Sequence, residues 1–178
     1  MPQHTSVRKE VQCLCVDAAG RGMSLPELFP FHGEWDRYEE ELYEIYLETI
    51  VRSGLTFGGV PVRSRYVPPT KNKGYSFWHL ISEGEREEER TPDIRRCERI
   101  RWVAWLIQHA TSHESVSWWE NKRGSNTHVV IWHEQENFAV VLAQRTGYFL
   151  LKTAYWVKQQ RRRDFERERE DFQRSRKS

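Results

Sequence analysis

A chain of 178 residues with 38% hydrophobic and 13% aromatic residues, eight of them tryptophan, carries enough apolar mass for one cored domain, which excludes a disordered chain. Its charged residues, 30% of the total, nearly cancel at net +2, so bulk charge names no partner, and an odd count of three cysteines argues against a disulfide framework. No stretch approaches the roughly 18 apolar residues that span a bilayer, and the N-terminus lacks the continuous apolar run of a signal peptide; the expectation is a cytoplasmic protein with no membrane association.

Residues 1–24, polar and small around VQCLCV, read as an arm or a short edge strand. From Leu25 a Pro-rich turn leads into a helix. Trp35, Tyr38, Leu42, Ile45 and Thr49 recur at helical spacing, and Gly54 supplies the C-terminal stop. Glu39, Glu40, Glu41, Glu44 and Glu48 should form an acidic outer face that a nucleic-acid backbone would avoid.

The segment LTFGGVPVRSRYVPPTKNKGYSFWHLIS reads as strand, loop and strand, interrupted by Gly58, Gly59, Pro61, Pro68 and Pro69. On this reading alternation places Phe77 beside His79 and Trp78 opposite. Thr91-Pro92-Asp93 then reads as a helix start with Thr91 as N-cap, and the helix should run to about Ala110 with Ile94, Cys97, Ile100, Ala104 and Ile107 buried. SVSWWENKR, THVVIWHE, NFAVVLAQR and YFLLKTAYWV follow, separated by short turns that leave no room for crossover helices, so they should form an antiparallel meander. Residues 158–178 carry nine basic and five acidic side chains and read as a helical or frayed basic tail. The expected fold class is α+β: two main helices on a curved antiparallel sheet of at least four strands, in a single domain over 25–160 with a tail at 161–178.

Several constellations carry chemistry. His79, the imidazole inside GYSFWHLI, is a candidate general acid or base, although a histidine in such a run is ordinarily a core residue bonded to a backbone carbonyl. The last strand adds Lys152, Thr153 and Tyr155. A lysine in a central strand either snorkels to an edge or meets an anion. Arg145 precedes the Thr146-Gly147 turn. A two-residue turn puts it on one face with Lys152 and sends Thr153 and Tyr155 to the other, and a three-residue turn reverses this. Arg63, Arg65, Lys71 and Lys73 form a basic loop, and Arg95, Arg96, Arg99 and Arg101 surround Glu98 on the second helix, a solvated face or a phosphate contact. Trp118 and Trp119 are bases' stacking partners or core residues. Cys13-Leu14-Cys15 lacks zinc-knuckle spacing, His109 and His113 lack a carboxylate partner, and no phosphate-binding loop, dinucleotide fingerprint or serine elbow occurs.

FPFHGEWDRYEEELYEIY, GYSFWHLIS, TPDIRRCERIRWV, VSWWENKRGSNTHVVIW and FAVVLAQRTGYFLLKTAYWV together resemble a family of small phage-linked and bacterial proteins related to the ribonuclease superfamily of barnase, EndoU, the tRNA-cleaving colicins and RelE-like toxins. That resemblance implies a toxin-like, metal-independent RNA endonuclease without a cofactor, acting on tRNA or mRNA and held by an antitoxin or other inhibitory protein. It places the family's histidine on His79, its hydroxyl-bearing strand on Thr153 and Tyr155 and its sheet arginine on Arg145. Glu120 is the only sheet carboxylate available where barnase-like members use a glutamate base. Arg63, Arg65, Lys71, Lys73, Arg99 and Lys152 would contact the nucleic acid, and attack by the 2′-OH would leave a 2′,3′-cyclic phosphate. The same surface equally suits a module that holds nucleic acid or a protein partner and cleaves nothing.

Overall fold

The computed structural model describes residues 24–177. Helix α1 (Trp35–Tyr46) continues as a π-helical turn to Val51 and stops at Gly54, whose φ of +66° glycine adopts without strain. Of the expected stripe Tyr38 and Leu42 are buried and Trp35, Ile45 and Thr49 half-buried, while Tyr46, outside that set, is buried one turn beyond Leu42. Glu39 departs from the expected acidic outer face: it is buried, because Lys73 from the following loop reaches over it.

Two short strands, β1 (Thr56–Phe57) and β2 (Val60–Arg63), form a hairpin. GYSFWHLI, read as a strand, is instead the core of a helix, α2 (Tyr75–Ile81). Phe77, Leu80 and Ile81 stand at i, i+3 and i+4 and are all buried, and a run this short satisfies either period. Next come β3 (Ser82–Glu83) and β4 (Thr91–Pro92), a small hairpin separate from the main sheet. Thr91 therefore lies in a strand. The N-cap of the next helix, α3 (Ile94–Glu98), is Asp93, whose side chain accepts from the Arg95 amide at 2.9 Å. The single expected helix breaks at Arg99 (φ −101°, ψ 14°), and α4 (Ile100–His109) follows. Cys97, Ile100, Ala104 and Ile107 are buried as expected, whereas Ile94, in the first turn of α3, is exposed.

The four expected strands are β5 (Val116–Arg123), β6 (Asn126–His133), β7 (Phe138–Arg145) and β8 (Tyr148–Trp156), an antiparallel meander. β2 joins β8 in parallel, so the whole is a curled, mixed six-stranded sheet in the order β1-β2-β8-β7-β6-β5. The β2 pairing covers only Phe149 and Leu150 of β8. Beyond them α2 lies against the strand, and Ser76 donates to the Leu151 carbonyl at 3.5 Å. An edge that would otherwise leave ladder groups unpaired is thus covered by a helix.

One sheet face, with Val129, Ile131, Val140, Leu142 and Leu151, packs into the core shared with α1, α2 and α4. The other carries Trp119, Val130, Trp132 and Ala139, and it is covered in part by the C-terminal helix α5 (Gln159–Ser175) through a fully buried Phe165. Arg162 and Arg169 of α5 each pair with Glu134 at 3.0 Å. No helix among the described residues is long and apolar enough to cross a membrane.

Candidate functional site

The turn between β7 and β8 has two residues, with Arg145 paired to Tyr148 and Gly147 at φ +80°. In a regular ladder this would separate Arg145 from Thr153 and Tyr155. The register instead steps between Leu142↔Leu151 and Val141↔Thr153, so Lys152 is the extra residue of a β-bulge. After that step Thr153 and Tyr155 return to the face of Tyr148 and Arg145, because directly paired residues share a face and Val141, Ala143 and Arg145 alternate along β7. The shared face does not make a shared site. Arg145 lies four residues, about 13 Å, along β7 from the partner of Thr153, and its guanidinium donates to the Gln144 carbonyl at 2.8 Å.

A cavity of about 200 Å³ opens on this face beside the first turns of α5. Lys152, Thr153 and Tyr155 of β8 line it together with Asn121 of β5, His128 of β6 and Arg161 of α5, over a floor of Val130 and Val141. Asn121 and His128 are direct partners across β5 and β6, and Val130, Val141 and Thr153 are partners across β6, β7 and β8, so β5, β6 and β8 of one sheet hold every polar group of the lining but Arg161. The lining contains an imidazole, an ammonium, a guanidinium, an amide and two hydroxyls, and no carboxylate. Burial disfavours charge on Arg161, but Tyr155 and Glu168, the latter at 3.0 Å, outweigh it and hold the guanidinium's pKa above its ordinary value. His128, Asn121 and Arg161 escaped the sequence reading. The signal for His128 was its period-2 alignment with Val130 and Trp132 in THVVIWH, which puts an imidazole at the wet end of an otherwise apolar face.

His79 occupies a different place. Its ring is turned to the loop before β4, where Nε2 meets the two oxygens of Glu87 at 2.8 and 3.0 Å. Tyr75 stacks on it with centroids 4.1 Å apart, and the Arg65 guanidinium lies over Tyr75 at 4.4 Å. What Thr153 meets is the backbone of His79: its hydroxyl donates to the His79 carbonyl at 3.2 Å. Burial, and then the nearby Arg90, push the His79 pKa below that of a free imidazole; Glu87 opposes them, and Lys152 adds to the depression. The ring is consequently neutral at pH 7.

The remaining expected contacts are dispersed. Arg63 stacks over Tyr148 at 4.7 Å and Lys71 lies 5.8 Å above Trp78. Lys73 is buried, with Glu39 and Glu40 at 3.1 and 2.5 Å. Arg99 lies over Trp102 at 5.0 Å, at the N-terminus of α4, and does not line the cavity. Glu120 is paired to Val129 and so points away from the face of Asn121. Trp119 is core, under α5. His109 is buried and its Nδ1 lies 2.8 Å from the Trp105 carbonyl. Cys13 and Cys15 fall outside the described residues. No cluster of three or more histidine, cysteine or acidic side chains suited to a metal ion occurs among the described residues. No protein-family model, no curated protein and no solved structure matches the chain.

Proposed function

We propose that the chain is an RNA endonuclease that cleaves without a metal, and that the reaction takes place in the sheet-face cavity of His128, Lys152, Thr153, Tyr155, Asn121 and Arg161. One observation carries the reading: acid–base, cationic and hydroxyl groups converge from three strands and a helix on a cavity without a carboxylate, an arrangement suited to a phosphodiester. The family resemblance in the sequence points the same way.

RNA brings its own nucleophile. The 2′-OH gives its proton to a base and forms a new bond to phosphorus, the bond from phosphorus to the 5′-oxygen breaks, and that oxygen takes a proton. The products are a 2′,3′-cyclic phosphate and a 5′-hydroxyl. His128 is the imidazole in the cavity and moves a proton; general acid–base help of this kind contributes about 10²- to 10⁴-fold. Lys152, presented outward by the bulge, and Arg161 bear on the phosphorane charge. Thr153 and Tyr155 orient the substrate, with the Thr153 hydroxyl already fixed by the His79 carbonyl. His79 is a positioning residue in this scheme, its ring held by Glu87.

The test is incubation of purified protein with total RNA in chelator, followed by end-group analysis. The reading expects cyclic-phosphate ends, strongly reduced in His128→Ala and Lys152→Ala while binding persists. Binding that weakens with salt, with no cleavage by the unaltered protein, favours the second reading: a module that holds nucleic acid. The observation behind that alternative is that Arg63, Arg65 and Arg95, none of which lines the cavity, lie over the half-buried rings of Tyr148, Tyr75 and Trp156.

A further inference from the structure

A second cavity, of about 620 Å³, lies on the other side of α2, between α1, the 68–73 loop and the loop before β4. Its walls are aromatic. Trp35, Tyr75 and Trp78 all line it, and both indole N–H groups are tied down, that of Trp35 to Glu39 at 2.9 Å and that of Trp78 to the Thr70 carbonyl at 3.0 Å. Three carboxylates, Glu39, Glu87 and Glu88, share the lining.

Of the two cations in the lining, Arg90 is fully committed. Every nitrogen of the Arg90 guanidinium donates within its own hairpin, to Ser82 and to the Gly84 carbonyl, at 2.7–3.1 Å. Lys71 is more telling. It sits in the left-handed region at φ +48°, its side chain is 67% exposed, and its ammonium lies 5.8 Å above the Trp78 ring and 3.9 Å from Glu39. The cavity thus holds a cation of its own chain, loosely, on an aromatic face beside a carboxylate. Aromatic faces with nearby carboxylates attract compact organic cations, most of all substituted ammonium groups.

We infer that this cavity binds a substituted ammonium group, carried by a small molecule or by a modified side chain, in the position that Lys71 now takes. A negative ligand is disfavoured, because three carboxylates line the cavity against Lys71 and an Arg90 whose nitrogens already donate within its own hairpin. The inference stands apart from the nuclease reading, since the two cavities share no lining residue.

Isothermal titration of the full chain with tetramethylammonium chloride tests it, with a peptide bearing one trimethyllysine and the same peptide bearing glutamine in parallel. Saturable tetramethylammonium binding is expected. Lys71→Gln should tighten it by about 3- to 10-fold, the worth of one cation–aromatic contact, and Glu88→Gln should weaken it by a similar factor. Tighter binding of the trimethyllysine peptide than of the free ion assigns the group to a side chain, and the reverse assigns it to a small molecule; both agree with the inference. No saturable binding by either the unaltered chain or Lys71→Gln overturns it. Weaker binding in Lys71→Gln also overturns it, because a side chain that occupies the ligand's place should compete with the ligand and not support its binding.

Discussion

Replacing Phe165 with alanine separates the two forces that hold α5 on the sheet. Phe165 is fully buried, with the rings of Trp119 at 5.1 Å and Trp132 at 5.6 Å packed edge-on and the Arg161 guanidinium 4.6 Å above it. Truncating a phenylalanine this buried costs about 3 to 5 kcal/mol. At roughly 2 to 4 °C per kcal/mol for a chain of this size, the melting temperature should fall by about 6 to 20 °C. The ion pairs of Arg162 and Arg169 with Glu134 are partly exposed and worth about 0.2 to 1 kcal/mol each, so Glu134→Gln should lower it by only a few degrees. Packing therefore outweighs charge at this contact. Thermal unfolding followed by tryptophan fluorescence reports directly, because Trp119 and Trp132 lie beneath the helix. If Glu134→Gln were as damaging as Phe165→Ala, or if Phe165→Ala melted within about 2 °C of the unaltered protein, the docking of α5 would not be an apolar contact.

Lys73→Met removes the ammonium between Glu39 and Glu40 and leaves Glu39 buried with less compensation. It should cost roughly 3 kcal/mol, the low end for breaking a buried pair because Glu40 remains wet, and adding Glu39→Gln should restore part of that in denaturant titration. Thr153→Val keeps the shape of the side chain and deletes its bond to the His79 carbonyl, which Arg96 also reaches. A loss of about 0.5 to 1.5 kcal/mol is expected, and a loss above about 3 would mean that the hydroxyl has further buried partners. Because folding depresses the His79 pKa, the unfolded imidazole takes up its proton first as pH falls. The stabilisation from His79 is full above about pH 6.5 and is lost as pH drops below that value toward the folded pKa. His79→Gln should therefore flatten the fall in stability between pH 7 and pH 5.5, leaving the part due to His133, whose pKa burial also lowers; parallel curves for the two proteins would refute the assignment. Glu87→Gln removes a charge that raises the His79 pKa and should steepen the same fall.

The meander was legible because each turn announces itself locally. Arg123-Gly124-Ser125-Asn126, Glu134 to Asn137 and Thr146-Gly147 separate runs rich in Val, Trp, Tyr and Phe, and the connections are too short for anything but antiparallel pairing. Helix α1 was legible from one buried stripe and a terminal glycine. GYSFWHLI was not, since a mainly apolar run of eight residues fits a buried strand or a buried helix equally well. The choice was made by β8, whose uncovered edge accepts α2 through Ser76 and Thr153. The tail's basic composition was plain, but its docking rests on Phe165 and Phe172, two rings seven residues apart amid charges.

The candidate site divides along the same line. Composition and alternation alone singled out Lys152, Thr153 and Tyr155 as polar groups on a central strand, because local chemistry fixes which residues a strand carries. The faces they occupy depended on a bulge at Lys152, and the company they keep depended on strand order, which brings Asn121 and His128 across from β5 and β6 and Arg161 down from α5. His79 and Thr153, 74 residues apart, do meet, but through the histidine's carbonyl rather than its ring. A one-residue step in register reverses every face beyond it, and such a step arises from long-range pairing that no local window of sequence contains.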